Sequence, residues 1–107
     1  MNKVFLVLIF TCIAGICSGQ KKDEDGEEIK VILKKYTCTK CHNQSMRLIG
    51  PSFNAIARRD YSKARLVELI LKPEPANWPG YPEMPVIDSL RIPDIEKVAD
   101  WIVRKAE

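Results

Sequence analysis

The 107-residue chain reads as one small all-α domain of about four helices, and three observations carry that reading. Apolar residues recur at helical spacing in four separate stretches, no pair of segments shows the alternation of paired strands, and no internal repeat is present. The stretch 20–107 is long enough for one domain only.

The N-terminus is set apart from that domain. A basic start at Lys3, an apolar run over residues 4–17 and the small residues Ser18 and Gly19 make a secretory signal. The run is short for a membrane span, which needs about twenty residues. We place a signal peptide at 1–19, cut after Gly19; lipid modification at Cys17, which would tether the chain to a membrane, is the rival. Cys12 and Cys17 leave with the signal on the first alternative, so only Cys38 and Cys41 stay.

Residues 20–26 are polar and lack an apolar pattern, so they read as a flexible leader ahead of a domain at 27–107. The first helix is expected over 27–37, with Ile29, Ile32, Leu33 and Tyr36 on one face and Asp25 and Glu28 as a cap pair. Pro51 and Ser52 open a short second helix to about Arg59, carrying Phe53, Ile56 and Ala57. Ser62 caps a third through Lys72, with Leu66, Leu69 and Ile70 inward. The segment 73–85 holds Pro73, Pro75, Pro79, Pro82 and Pro85, whose rings lack amide hydrogens, so it is an extended loop. Pro93 begins the last helix, which buries Ile95, Val98, Ile102 and part of Trp101 and ends near Ala106.

Between the first two helices stands Cys38-Thr39-Lys40-Cys41-His42. Two thiols at i and i+3 lie on one side of a helical turn, followed at once by an imidazole. This is the spacing at which both cysteines join a haem and the histidine ligates its iron. A thiol-disulfide motif normally follows a strand in a βαβ unit, and no such unit is legible. Zinc needs four ligands, whereas the chain holds one histidine and no further cysteine pair downstream. A disulfide across so short a loop would stabilise little and leave His42 unexplained.

The second iron ligand follows from what the chain contains. His42 is its one histidine, Met1 leaves with the signal, and Met46 is too near His42 along the backbone to reach the other side of a ring. Met84 remains, between Pro82 and Pro85, which stiffen its loop. Filling a gap in the core is the commoner fate of a methionine, and Lys72 is the alternative ligand.

These segments resemble a short bacterial class I cytochrome c, monohaem and His/Met ligated. The matching residues run from Val31 through Cys38-Thr39-Lys40-Cys41-His42, then Ile49-Gly50-Pro51-Ser52-Phe53, Met84-Pro85 and Val98-Ala99-Asp100-Trp101-Ile102-Val103, in family order over nearly the whole exported chain. The resemblance implies about four helices around one covalent haem c. It implies that the Pro51 carbonyl accepts a hydrogen bond from His42, that Trp78 contacts a haem propionate, and that Leu33 and Trp101 meet where the first and last helices cross. An aromatic is usual at the Leu33 position, so Leu33 departs from the pattern.

An iron with both axial positions filled exchanges electrons without binding substrate, so the function expected is a periplasmic one-electron carrier and not an enzyme. The alternatives are a haem sensor or peroxidase-like enzyme with a labile sixth position, or a subunit dedicated to one oxidoreductase. Transient redox partner proteins are expected, with the chain itself a monomer. Lys34, Lys35, Lys40 and Arg47 flank the motif as a basic rim for an acidic partner, although a solvated surface explains them equally. The net charge of +3 contains no basic block of the kind that binds nucleic acid.

Overall fold

A computed structural model describes residues 21–106, with side chains from Gly26 onward. The signal expected at 1–19, its cut at Gly19 and the lipidation alternative at Cys17 lie outside the described residues. The described residues form four α-helices and no strand: α1 (Lys21–Lys35), α2 (Phe53–Ala57), α3 (Lys63–Leu71) and α4 (Ile92–Lys105). Single 3-10 turns occupy Cys38–Lys40 and Pro75–Asn77.

Helix α1 differs from expectation at both ends. It opens at Lys21, inside the stretch expected as a leader, so Asp25 lies within the helix and not at its start. Lysine and glutamate are good helix formers, and acids early in a helix complement its dipole. The helix stops at Lys35 because Thr37 takes a left-handed backbone (φ 59°), which costs a non-glycine residue about 1–2 kcal/mol. That reversal starts the separate turn at Cys38. The other starts follow their caps: Ser52 Oγ accepts from the Ala55 amide at 3.0 Å and Ser62 Oγ from the Arg65 amide at 3.1 Å.

Helix α4 is the hub, packing against α1, α2 and α3. Its inward face carries Ile95, Val98, Ala99 and Ile102, all buried. Ala99 is fully enclosed, and its small side chain permits the close approach of the neighbouring helices. Ile29, Ile32 and Leu33 from α1, Tyr36 just after it, Phe53 and Ala57 from α2 and Leu66 from α3 complete the core. Leu33 is buried, so an aliphatic side chain satisfies that place. Trp101 is half-buried and sets its ring edge-on to Phe53, with centroids 5.1 Å apart.

Polar ties fix α1 to the first turn of α4. Tyr36 donates its hydroxyl to Asp94 Oδ2 at 2.5 Å, and Lys35 Nζ lies 3.3 Å from the same oxygen. These contacts, with the Tyr36 hydrogen bond foremost, hold the Asp94 carboxyl below its ordinary range. Lys97 pairs with Glu28 across the same two helices.

Candidate haem site

The turn Cys38–Lys40 is of 3-10 type, in which residues three apart eclipse each other, so Cys38 and Cys41 fall on one side. The Cys38 carbonyl accepts from the amides of both Cys41 (3.1 Å) and His42 (3.0 Å). Both cysteines are unpaired thiols of intermediate exposure, and burial pushes the Cys38 thiol up.

The loop after His42 folds back on the motif. The Gly50 amide donates to the Cys41 carbonyl at 2.7 Å, and the Phe53 amide donates to that of Asn43 at 2.9 Å. Asn43 Oδ1 accepts from the Ser45 and Met46 amides, the local turn that asparagine favours. The next residue, Pro51, is then placed so that its carbonyl oxygen lies 2.7 Å from His42 Nδ1. A carbonyl oxygen only accepts, so Nδ1 carries the proton and Nε2 keeps its lone pair for a metal. Phe53 supports the same ring from 5.5 Å.

Gly50 allows this arrangement. A methyl carbon there would stand 2.7 Å from His42 Cε1 and 2.9 Å from Nδ1, well inside ordinary contact. The imidazole is seated against bare backbone.

These residues line one cleft. It encloses about 1200 Å³ including its open mouth, and its walls are apolar: Leu33, Ile56, Leu66, Leu69, Ile70, Ile95, Val98 and Ile102. Cys38, Cys41, His42 and Met84 all border it, as do Pro51, Trp78, Tyr61 and Tyr81. An open cleft with walls this apolar suits a large flat apolar cofactor. Two free thiols, an imidazole with Nε2 open and a thioether border the same space, so the residues fit haem. Lys72, the alternative ligand, is exposed just after α3, and neither it nor Met46, also exposed, borders the cleft. Among the described residues, no group of three or more His, Cys, Asp or Glu side chains could hold a metal such as zinc.

The loop 73–85 forms one side of the cleft, and three arginines grip it. Arg65 of α3 joins Glu74, which also accepts from the Asn77 amide group at 3.0 Å. Arg59 lays its guanidinium over the Trp78 ring at 3.9 Å, and Arg47 does so over Tyr81 at 3.9 Å. Trp78 and Tyr81 meet edge to face, centroids 5.8 Å apart. The sequence singled out Trp78, which borders the cleft, but gave no sign of the arginine over it or of the contacts of Tyr81. Contacts between an arginine and a ring so far along the chain leave no periodic trace.

The expected basic rim is partly committed to these internal contacts. Lys35 is held by Asp94, and Arg47 by Tyr81 and the Gly80 carbonyl; Lys34 and Lys40 are exposed. No helix among the described residues is long and apolar enough to cross a membrane.

No protein-family model matches the chain, and no curated protein does. Among solved structures, the crystal structure of the class 1 cytochrome MtoD from Sideroxydans lithotrophicus ES-1 is similar. The TM-score is 0.64 at 23% sequence identity, covering 78% of this chain and 98% of that one. Helix order, cleft and structural likeness agree: this chain has the fold of a class I cytochrome c.

Proposed function

We propose that the chain is an exported one-electron carrier that binds a single haem c covalently through Cys38 and Cys41, with His42 and Met84 as axial ligands. The observation that carries this reading is the 2.7 Å contact between His42 Nδ1 and the Pro51 carbonyl, in a cleft that Cys38, Cys41 and Met84 also border. Haem supplies reversible one-electron exchange at its iron.

The chain's own residues do the rest. Cys38 and Cys41 would hold the group through two thioether bonds, so it could not leave. Pro51 fixes the His42 tautomer and ring orientation and makes Nε2 a stronger donor. Met84 offers a soft thioether that favours the ferrous state and raises the potential. The aliphatic walls exclude water, which keeps the local dielectric low and rearrangement on electron transfer small. Trp78 and Arg59, stacked at the cleft, suit the negative edge of a porphyrin carrying propionates. The expected signal at 1–19, or a lipid on Cys17, would place the carrier in the periplasm or on a membrane facing it.

The purified secreted protein is expected to keep its colour through denaturing extraction and to lose it in a Cys38→Ser, Cys41→Ser double variant. Its oxidised form should show the weak far-red band of methionine-to-iron ligation, absent in Met84→Ala. A parent without that band, or one whose ferrous form binds carbon monoxide rapidly, would overturn the His/Met assignment in favour of a sensor or peroxidase.

A further inference from the structure

Arg47 stands five places after His42, in the loop that begins with that histidine. Its Nη2 donates to the Gly80 carbonyl at 2.6 Å, and its guanidinium lies 3.9 Å over the Tyr81 ring. Gly80 and Tyr81 lie just ahead of Pro82-Glu83-Met84. Gly80 has φ +84°, a left-handed conformation that other residues rarely adopt, so the turn that aims its carbonyl is tailored. Pro82 then stiffens the short path to Met84. Of the three arginines on this loop, Arg59 and Arg65 come from the end of α2 and from α3 and grip its earlier part, at Trp78 and Glu74. Arg47 alone of the three comes from the histidine's own loop and grips the part next to Met84.

We propose that Arg47 is a positioning residue that ties the loop bearing one iron ligand to the loop bearing the other, and so holds Met84 at the cleft. The inference rests on the assignment of His42 and Met84 as axial ligands. For Met84 to swing away, residues 80–84 must move, and that motion breaks the hydrogen bond to Gly80 and unstacks Tyr81. Both contacts therefore act on the fraction of molecules in which the methionine has left. A guanidinium over a half-buried ring together with one charge-assisted hydrogen bond is enough to change that fraction severalfold.

Imidazole added to the oxidised, haem-loaded protein binds only molecules in which the sixth position is open, so its apparent affinity scales with that open fraction. Arg47→Ala should raise this affinity about fivefold, and Tyr81→Leu, which keeps the Gly80 hydrogen bond, about two- to threefold. In a Met84→Ala background the latch has nothing to hold, and adding Arg47→Ala should change the affinity less than twofold. Hydrogen exchange at the Tyr81 amide, which donates to the Trp78 carbonyl at 3.2 Å, should quicken in Arg47→Ala. Parental imidazole affinity and parental exchange in Arg47→Ala would overturn the proposal. So would a fivefold rise that persists in the Met84→Ala background, because Arg47 would then act by another route. If Met84→Ala itself binds imidazole no more tightly than the parent, the ligand assignment fails, and that result is distinct from a failure of Arg47 alone.

Discussion

Replacing Gly50 by alanine sets a methyl carbon 2.7 Å from His42 Cε1, 2.9 Å from Nδ1 and 3.2 Å from the Cys41 carbonyl oxygen. Carbon atoms at rest stand about 3.5–4.0 Å apart, so the imidazole or the Gly50 backbone must shift by about an ångström. A shift of that size breaks the 2.7 Å hydrogen bond to Pro51. Overpacking of this kind costs about 1–3 kcal/mol and the lost bond about 0.5–1.5 kcal/mol, or roughly 2–4 kcal/mol together. In a domain of this size that corresponds to a fall of roughly 10–25 °C in Tm. Thermal unfolding followed by circular dichroism measures it, and nitrogen chemical shifts of His42 report whether Nδ1 still carries its proton. Gly26 provides the control. It sits inside α1, and a methyl carbon placed there would meet nothing within 4 Å, so Gly26→Ala should stabilise by about 0.5–1 kcal/mol. A Gly50→Ala protein that melts within about 2 °C of the parent, with its histidine tautomer unchanged, would refute the close-contact reasoning.

Two further perturbations test the frame around the site. Asp94 is held below its ordinary range first by Tyr36 and then by Lys35, so its ionised form stabilises the fold above the unfolded value of about 3.9, and that stability is lost as pH falls through the lower folded value. Asp94→Asn should therefore melt below the parent at neutral pH, with the gap closing under about pH 4; a gap that stays constant to pH 2 would contradict this. Ser52 and Ser62 are both helix caps, but Ser52 is buried next to Pro51 and Ser62 is exposed. In denaturant titrations Ser52→Ala should cost nearer 2 kcal/mol and Ser62→Ala nearer 0.5 kcal/mol, and equal losses would show that burial of the first cap does not matter.

Local patterns in the chain were enough to locate its helices and to name residues that the fold gathers at one cleft. The apolar residues expected inward on α1 and α4 are buried, Ser52 and Ser62 cap as expected, and the proline-rich stretch makes no α-helix, because each of these outcomes depends on neighbours a few residues away. The spacing of Cys38, Cys41 and His42 is likewise a property of one turn. Where local rules competed, they misjudged α1: its start was hidden by charged residues that are polar in pattern yet good helix formers, and its end by a left-handed Thr37 that β-branching disfavours.

What tertiary structure alone decided is how the pieces meet. The place of α4 as the hub for three other helices, the seating of the His42 ring against Gly50, the bond from Tyr36 to Asp94 and the arginines laid on Trp78 and Tyr81 join residues far apart in the chain. No periodicity records such pairs, since they form only when packing of separate elements brings their loops together. The residue types at the cleft are therefore written in short motifs, while the precision with which the candidate ligands are held comes from contacts that exist only once the chain has folded.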